Sequence, residues 1–370
     1  MITKLGMPKW GLSMTEGKVL GWLVEEGEKV DVGDGLAEVE TEKINGEVEA
    51  PAPGVLRRRL ATVGQVYPVG ALLGVIADES DSDAEIDAFV ADFQAAFVPE
   101  EAADEAAGPA TQTAEVAGRR LRYLVHGEGD GVPAVLLHGF GGDLNNWLFN
   151  HEALSGTRPV YALDLLGHGQ SSKDVGDGAA TLAQSLVGFL DALGVEQAHL
   201  AGHSMGGALA SKVVSEHPDR VASLTLIASA GLGSDVNREY IDGFVAADRR
   251  RAMKPVLELL FADPSLVSRQ LVDDVLRYKR LDGVDQALRT LAAQMFPEGR
   301  QPIVFTDTLE AASVPILVIW GERDQVMPVA HARSLSSGFT VEILEACGHS
   351  PHMERAGDVN RLITQFWERA

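Results

Sequence analysis

The sequence predicts two folded domains of different class, a small all-β sandwich followed by an α/β domain that carries a helical cap. Three observations carry that prediction. Residues 1–78 alternate short apolar runs with glycine turns, as in WLVEEGEKVDVGDGLAEVE, the pattern of many short strands. Residues 118–370 alternate buried-strand runs with helical patterns, the layout of a mostly parallel sheet covered by helices. Between them, residues 79–117 shift to Ala, Glu, Asp, Pro and Thr, a composition that repels itself and extends as a linker.

The first domain repeats itself. Gly27, Gly33, Leu36 and Val39 recur 37 positions later as Gly64, Gly70, Leu73 and Ile76, so two similar halves are expected to build a pseudo-symmetric β-sandwich. Between the halves stands Glu38-Val39-Glu40-Thr41-Glu42-Lys43-Ile44-Asn45-Gly46. The Asn-Gly pair reads as a tight hairpin with Lys43 exposed at its tip, where a swinging prosthetic arm would need its anchor. Taken alone, Lys43 would be an ordinary turn lysine. MPKWGLSMTEG (7–17), Trp22, GEKVDVGDGLAEVETEK (27–43) and Gly54-Val55-Leu56 resemble the lipoyl-domain family across residues 1–78. That resemblance implies lipoate bound covalently to Lys43. Biotin-carrying relatives usually place the lysine between methionines, whereas Glu42 and Ile44 flank it here, which favours lipoate.

One island interrupts the linker. Ile86, Phe89, Val90, Phe93 and Phe97 share a helical face, Ser82 and Glu85 form a capping-box pattern, and Pro99 ends the run. The expectation is a helix packed on the following domain, with a docking helix for a partner chain as the alternative.

In the second domain, AVLLHG (134–139), PVYALD (159–164), AHLAGHS (198–204), SLTLIAS (223–229) and PILVIWG (315–321) read as buried strands. Residues 232–306 are helical in pattern and lack strand runs, so they read as an inserted cap. Gly202-His203-Ser204-Met205-Gly206 matches G-x-S-x-G between a strand and a helix, the context in which that motif lifts a nucleophilic serine above a sheet. His138-Gly139-Phe140-Gly141-Gly142 occupies the oxyanion-loop position, so the N–H groups of Phe140 and Met205 are the expected oxyanion donors, with His138 shaping the loop. In the order Ser, acid, His, Asp324 is the preferred acid and Glu322 the alternative. His349 is the preferred base and His352 the alternative. These elements resemble the α/β-hydrolase family across residues 119–370.

Other residues read more plainly. Asp164-Leu165-Leu166-Gly167-His168-Gly169-Gln170-Ser171 reads as a structural loop, Cys347 as a small buried residue, and His331 has no assigned role. His126-Gly127-Glu128-Gly129-Asp130-Gly131 satisfies H-x-x-x-D-G, a signature of other acyltransferase cores, but its glycines read as a hairpin turn. No metal-ligand spacing, dinucleotide fingerprint or P-loop is present in context. The net charge of −23 argues against nucleic acid and anionic membranes as partners. A single cysteine, Cys347, fits a reducing compartment. With no signal peptide and no membrane-spanning run, a cytoplasmic location is expected.

The pairing of a lipoyl domain with an α/β-hydrolase domain resembles the acyltransferase (E2) components of acetoin dehydrogenase complexes. The resemblance spans the chain. It implies an acetyltransferase that passes an acetyl group from dihydrolipoyllysine to coenzyme A through a Ser-His-Asp triad. Its implied partners are a thiamine-dependent acetoin-cleaving component and dihydrolipoyl dehydrogenase. A peripheral subunit-binding domain is not recognisable, and the sequence leaves the oligomeric state open. Two other readings stand: a hydrolase of thioesters, esters or carbon–carbon bonds, and a scaffold whose second domain only binds. Arg249, Arg250, Arg251 and Lys254 cluster in the cap, where a solvated helix face is expected ahead of contact with coenzyme A phosphates or the acidic carrier domain.

Overall fold

The computed structural model describes residues 2–8, 16–40, 45–78, 80–97 and 111–370. The chain divides into two compact units, Met1–Gly108 and Pro109–Ala370.

The first unit contains strands β1 (Thr3–Gly6), β2 (Glu16–Trp22), β3 (Lys29–Val30), β4 (Gly35–Glu40), β5 (Asn45–Glu49), β6 (Gly54–Arg59), β7 (Val66–Pro68) and β8 (Leu72–Ala77). They form two four-stranded antiparallel sheets, ordered β1-β8-β6-β3 and β5-β4-β2-β7. The sequence echo becomes a symmetry of position. Strands β2, β3 and β4 recur as β6, β7 and β8, and each pair holds the same place in opposite sheets. The paired glycines share left-handed backbone: φ is 94° at Gly27 and 85° at Gly64, 91° at Gly33 and 81° at Gly70. Only glycine enters that region without strain, which explains their recurrence at equivalent turns. Leu36, Val39, Leu73 and Ile76 fill the interior between the sheets.

Strands β4 and β5 pair out to Glu40 opposite Asn45. Asn45 and Gly46 therefore begin a strand and do not form the turn itself, contrary to expectation. Residues 41–44, Lys43 among them, lie outside the described residues.

Helix α1 (Asp83–Ala96) starts at Ser82 with the predicted capping box, the Ser82 and Glu85 side chains each bonding the other's backbone amide. Its apolar face packs within the β unit, where packing on the following domain is expected from sequence. Ile86 is fully buried against Leu72, Val75 and Ala77 of β8, with Phe89, Val90 and Phe93 beside it. Arg57 and Arg58 of β6 pair with Asp83 and Asp87 at 2.9–3.1 Å. The helix thus belongs to the β unit, which shortens the expected linker at its start.

The linker is shortened at its end as well. In the second unit β9 (Gln112–Val116) and β10 (Arg119–His126) form an antiparallel edge, followed by β11 (Ala134–Leu137), β12 (Val160–Leu163), β13 (Ala198–His203), β14 (Val221–Ile227), β15 (Ile316–Gly321) and β16 (Thr340–Leu344). The sheet order is β16-β15-β14-β13-β11-β12-β10-β9. Strands β11 to β16 pair in parallel. Because β10 pairs with β12, the Gly127–Gly131 turn joins strands that are not neighbours and is no hairpin.

The central strands are buried on both faces, so they read as continuous apolar runs. Val135 and Leu137 face α2 (Ala179–Ala192) and α3 (Met205–Glu216), while Ala134 and Leu136 face Trp147 and Trp367. Between β14 and β15 four cap helices follow one another, α4 (Arg238–Ala246), α5 (Arg250–Glu258), α6 (Arg269–Lys279) and α7 (Val284–Met295). A β-bridge between Asp235 and Arg300 closes the base of this insertion. No described helix is long and apolar enough to cross a membrane.

Candidate active site

Ser204 stands between β13 and α3 with φ 51° and ψ −117°, a strained conformation for a residue with a side chain. Three glycines permit the turn. A Cβ on Gly202 would lie 2.5 Å from the Gly206 backbone, and one on Gly206 would lie 2.4 Å from the Leu137 carbonyl. One on Gly207 would meet the Ser229 hydroxyl at 2.1 Å. The fold around Ser204 therefore depends on the absence of those side chains. Ser204 occupies the N-cap position of α3, yet its hydroxyl does not cap the helix. The hydroxyl is left for other chemistry, near the positive end of a twelve-residue helix.

His349 follows β16 and is buried. Its Nδ1 donates to Asp324 Oδ2 at 2.9 Å, with both side chains shielded from solvent. Asp324 follows β15, and its other oxygen accepts the amides of Val326 and Met327, each at 2.8 Å. These bonds fix the carboxylate, which fixes the imidazole tautomer and leaves Nε2 as a base. His203, one residue before Ser204, donates from Nε2 to the His349 carbonyl at 2.8 Å. That bond holds the His349 loop against the Ser204 turn. Burial and the neighbouring His352 and His349 rings push the His203 pKa well below the ordinary value, so His203 is a neutral structural donor.

The alternative residues sit elsewhere in the chemistry. Glu322 faces solvent and pairs with Arg333 at 3.3 Å. His352 is fully buried between Trp147 and His203, neither of its nitrogens has a hydrogen-bond partner, and burial pushes its pKa down to about 3. The Cys347 thiol is buried, directed at Glu354, and pushed up to about 12 by burial, which makes it a poor nucleophile. His331 packs against Trp320.

The loop after β11 is built by two histidines. His138 donates from Nδ1 to the Gly139 carbonyl at 2.8 Å and accepts the Leu165 amide at 3.0 Å. His168 donates to the Leu166 carbonyl at 3.1 Å and accepts the Gly141 amide at 3.1 Å. Burial lowers the pKa of both, so each is a neutral imidazole using one donor and one acceptor. Among the described residues, the amides of Phe140 and Met205 donate to no group of the chain. Two free N–H groups at this turn are what an oxyanion requires.

The loop of residues 164–171 is structural, as expected, but the sequence does not say that the His168 ring holds the Gly141 amide. The aromatic cluster was not foreseen either. Phe140, Tyr240, Phe244 and Phe296 form a set of buried rings with centroid separations of 5.7–6.1 Å, and Tyr240 lies 6.4 Å from the His349 ring. Three of these rings come from the cap, where nothing in the sequence says which face meets the loop. Two of the four cations in the cap cluster are paired: Arg250 with Asp273, and Lys254 with Glu258 at 3.6 Å. Among the described residues no grouping of His, Cys, Asp or Glu suits a metal ion.

Residues 133–356 match the family described as the alpha/beta hydrolase fold, and residues 3–76 match the family described as biotin-requiring enzymes. The chain is 51% identical to the dihydrolipoyllysine-residue acetyltransferase component of the acetoin cleaving system of Pseudomonas putida, covering 99% of this chain and 98% of that one. It is 48% identical to the component of the same name from Cupriavidus necator, covering 98% and 96%. The meta-cleavage product hydrolase of Pseudomonas fluorescens superposes with a TM-score of 0.64 at 26% identity, over 70% of this chain and 97% of that one. With a lipoyl-type domain ahead of an α/β-hydrolase domain, the chain belongs to the family of acetyltransferase components of acetoin cleaving systems.

Proposed function

We propose that the chain moves an acetyl group from dihydrolipoyllysine to coenzyme A, with Ser204 as nucleophile, His349 as general base and Asp324 as its orienting acid. The observation that carries the reading is a strained serine that caps nothing, whose turn is tied through His203 to the loop of an oriented His349–Asp324 pair, in a chain similar over its whole length to acetyltransferase components. Lipoate on Lys43 would supply a thioester, an activated acyl donor. The paired strands β4 and β5 end on either side of the segment that carries the lysine.

His349 Nε2 takes the proton of Ser204 as Oγ adds to the acetyl carbonyl carbon. The amides of Phe140 and Met205 stabilise the oxyanion. As the tetrahedral species collapses, the carbon–sulfur bond breaks, His349 returns the proton to the departing sulfur, and Ser204 holds the acetyl ester. Coenzyme A thiol then gives its proton to His349 and attacks that ester; as the ester carbon–oxygen bond breaks, His349 passes the proton to Ser204 Oγ, which frees the serine and yields acetyl-coenzyme A. Buried rings around His349 keep water scarce, which favours thiol over water as acceptor.

As a component of an acetoin cleaving system the chain works with other components. We assign these to a thiamine-dependent acetoin-cleaving enzyme and dihydrolipoyl dehydrogenase, in the cytoplasm. The test supplies acetylated dihydrolipoamide with and without coenzyme A. Acetyl-coenzyme A formation that is lost in Ser204→Ala supports the reading. Acetate at the same rate in both conditions favours a hydrolase. For Lys43, the intact mass of protein from a lipoate-competent host should show the added lipoyl mass, absent in Lys43→Arg.

A further inference from the structure

A second concave site lies in the α/β unit, at the edge formed by β9, β10 and the loop after β12. It is a cavity of about 530 Å³ whose lining includes Thr113, Arg120, Arg122, Ser172, Lys173 and Asp282. Three cations and one carboxylate line it, an excess of positive charge in a chain whose net charge is −23. Arg119, beside this cavity, meets Asp174 at 2.6 Å.

Each cation is held differently. Lys173 donates its ammonium hydrogens to the carbonyls of His168, Gly169 and Ser171, so it is a fixed charge inside the loop. Arg122 reaches buried Asp164 at 3.3 Å through one nitrogen, while its buried Nε has no partner. Arg120 is exposed, and no carboxylate among the described residues pairs with it. The Ser172 hydroxyl accepts the Arg120 amide at 2.9 Å and keeps its own hydrogen to donate. Burial, and to a lesser degree Arg120, lower the Lys173 pKa; an anion in the cavity would relieve that repulsion.

We propose that this cavity is the phosphate subsite for coenzyme A, with Arg120 as its principal mobile contact and Lys173 as fixed countercharge; this rests on the reading that coenzyme A is the acyl acceptor. The cavity shares its loop with the reaction centre. His168, whose carbonyl accepts from Lys173, holds the Gly141 amide through its ring, and Asp164 binds both Arg122 and the Leu144 amide. A thiol on a long arm that ends in several phosphates is the acceptor chemistry suited to such a pairing. Guanidinium groups are the side chains that best match phosphate oxygens.

The test uses the full-length lipoylated chain with acetylated dihydrolipoamide as donor. Coenzyme A, dephospho-coenzyme A and pantetheine serve as acceptors, and the readout is the ratio of kcat/KM for coenzyme A to that for pantetheine. A general loss of folding cancels in this ratio. Arg120→Glu should lower it about tenfold or more, the scale of one charge-assisted hydrogen bond, with Arg120→Lys restoring most of it. Asp282→Asn should raise it, and added salt should lower it in the wild type. Ratios that stay at the wild-type value in Arg120→Glu and Asp282→Asn, while acetyl-coenzyme A is still made, overturn the subsite and leave the acceptor intact. Formation of acetate alone by the wild type overturns both. A ratio that falls in Arg120→Glu for coenzyme A but not for dephospho-coenzyme A assigns the contact to the ribose phosphate; equal falls assign it to the diphosphate.

Discussion

His349 Nδ1 donates to Asp324 Oδ2 at 2.9 Å, while two backbone amides hold the opposite oxygen of the same carboxylate. Asparagine at 324 would keep the shape but offer an amide to the imidazole, favouring the wrong tautomer. Asp324→Asn should therefore lower kcat by about 10⁴-fold with little change in stability, as in the serine-protease precedent. Glu322→Gln, at a solvent-facing ion pair, should stay within a factor of a few. Steady-state acetyl transfer by the two variants checks the assignment.

The loop histidine at 168 acts at one remove. It positions the Gly141 amide and through it the Phe140 N–H. His168→Ala should lower kcat on the order of tenfold, less than removal of an oxyanion donor itself. The pH at half-maximal kcat should not move, because the His349–Asp324 pair is untouched. A pH–rate profile that shifts would contradict a purely positioning role.

Much of this site is legible in the sequence because the constraints are local. Gly202, Gly206 and Gly207 flank Ser204 at fixed spacing, Asp324 follows a strand of unbroken apolar residues, and His349 follows the mixed edge strand Thr-Val-Glu-Ile-Leu and a glycine. The edge strands were not legible. β9 is Gln-Thr-Ala-Glu-Val, a composition that merges with the linker before it, and β10 carries three arginines, Arg119, Arg120 and Arg122, around a single fully buried Leu121. Amphipathicity in α1 shows that one face is covered, but not by what; the answer, β8, is set by tertiary packing. The Asn45-Gly46 pair misplaces the turn because register across β4 and β5 depends on both strands, not on the dipeptide.

Buried neutral histidines make stability depend on pH. His352 has its pKa pushed down to about 3 by burial, against about 6.5 in an unfolded chain. Between those values the unfolded state binds the proton and the native state does not. Stability therefore falls as pH drops through that window, by at most about 1.4 kcal/mol per unit for each such group. His352→Phe removes a ring whose nitrogens have no hydrogen-bond partner, so its loss of stability on acidification should be shallower. Urea unfolding of the α/β unit at several pH values checks this; a slope equal to wild type would refute it.

Helix α1 should stabilise the carrier unit. Ile86→Ala removes a fully buried side chain from contact with β8 and should destabilise that unit by about 2–5 kcal/mol. Hydrogen exchange in the full-length chain should show faster exchange of β8 amides, with the α/β unit unaffected. Unchanged protection of β8 would mean the helix contributes nothing there.

The central claim is that Ser204 itself receives the acetyl group. Mixing the protein with acetylated dihydrolipoamide in the absence of coenzyme A, quenching in acid and digesting should place one added acetyl mass on the peptide that contains Ser204. The mass should disappear on a chase with coenzyme A as acetyl-coenzyme A forms, and should never appear in Ser204→Ala. Acetyl-coenzyme A formed at wild-type rate by Ser204→Ala, with no acetylated peptide in either protein, would contradict the account.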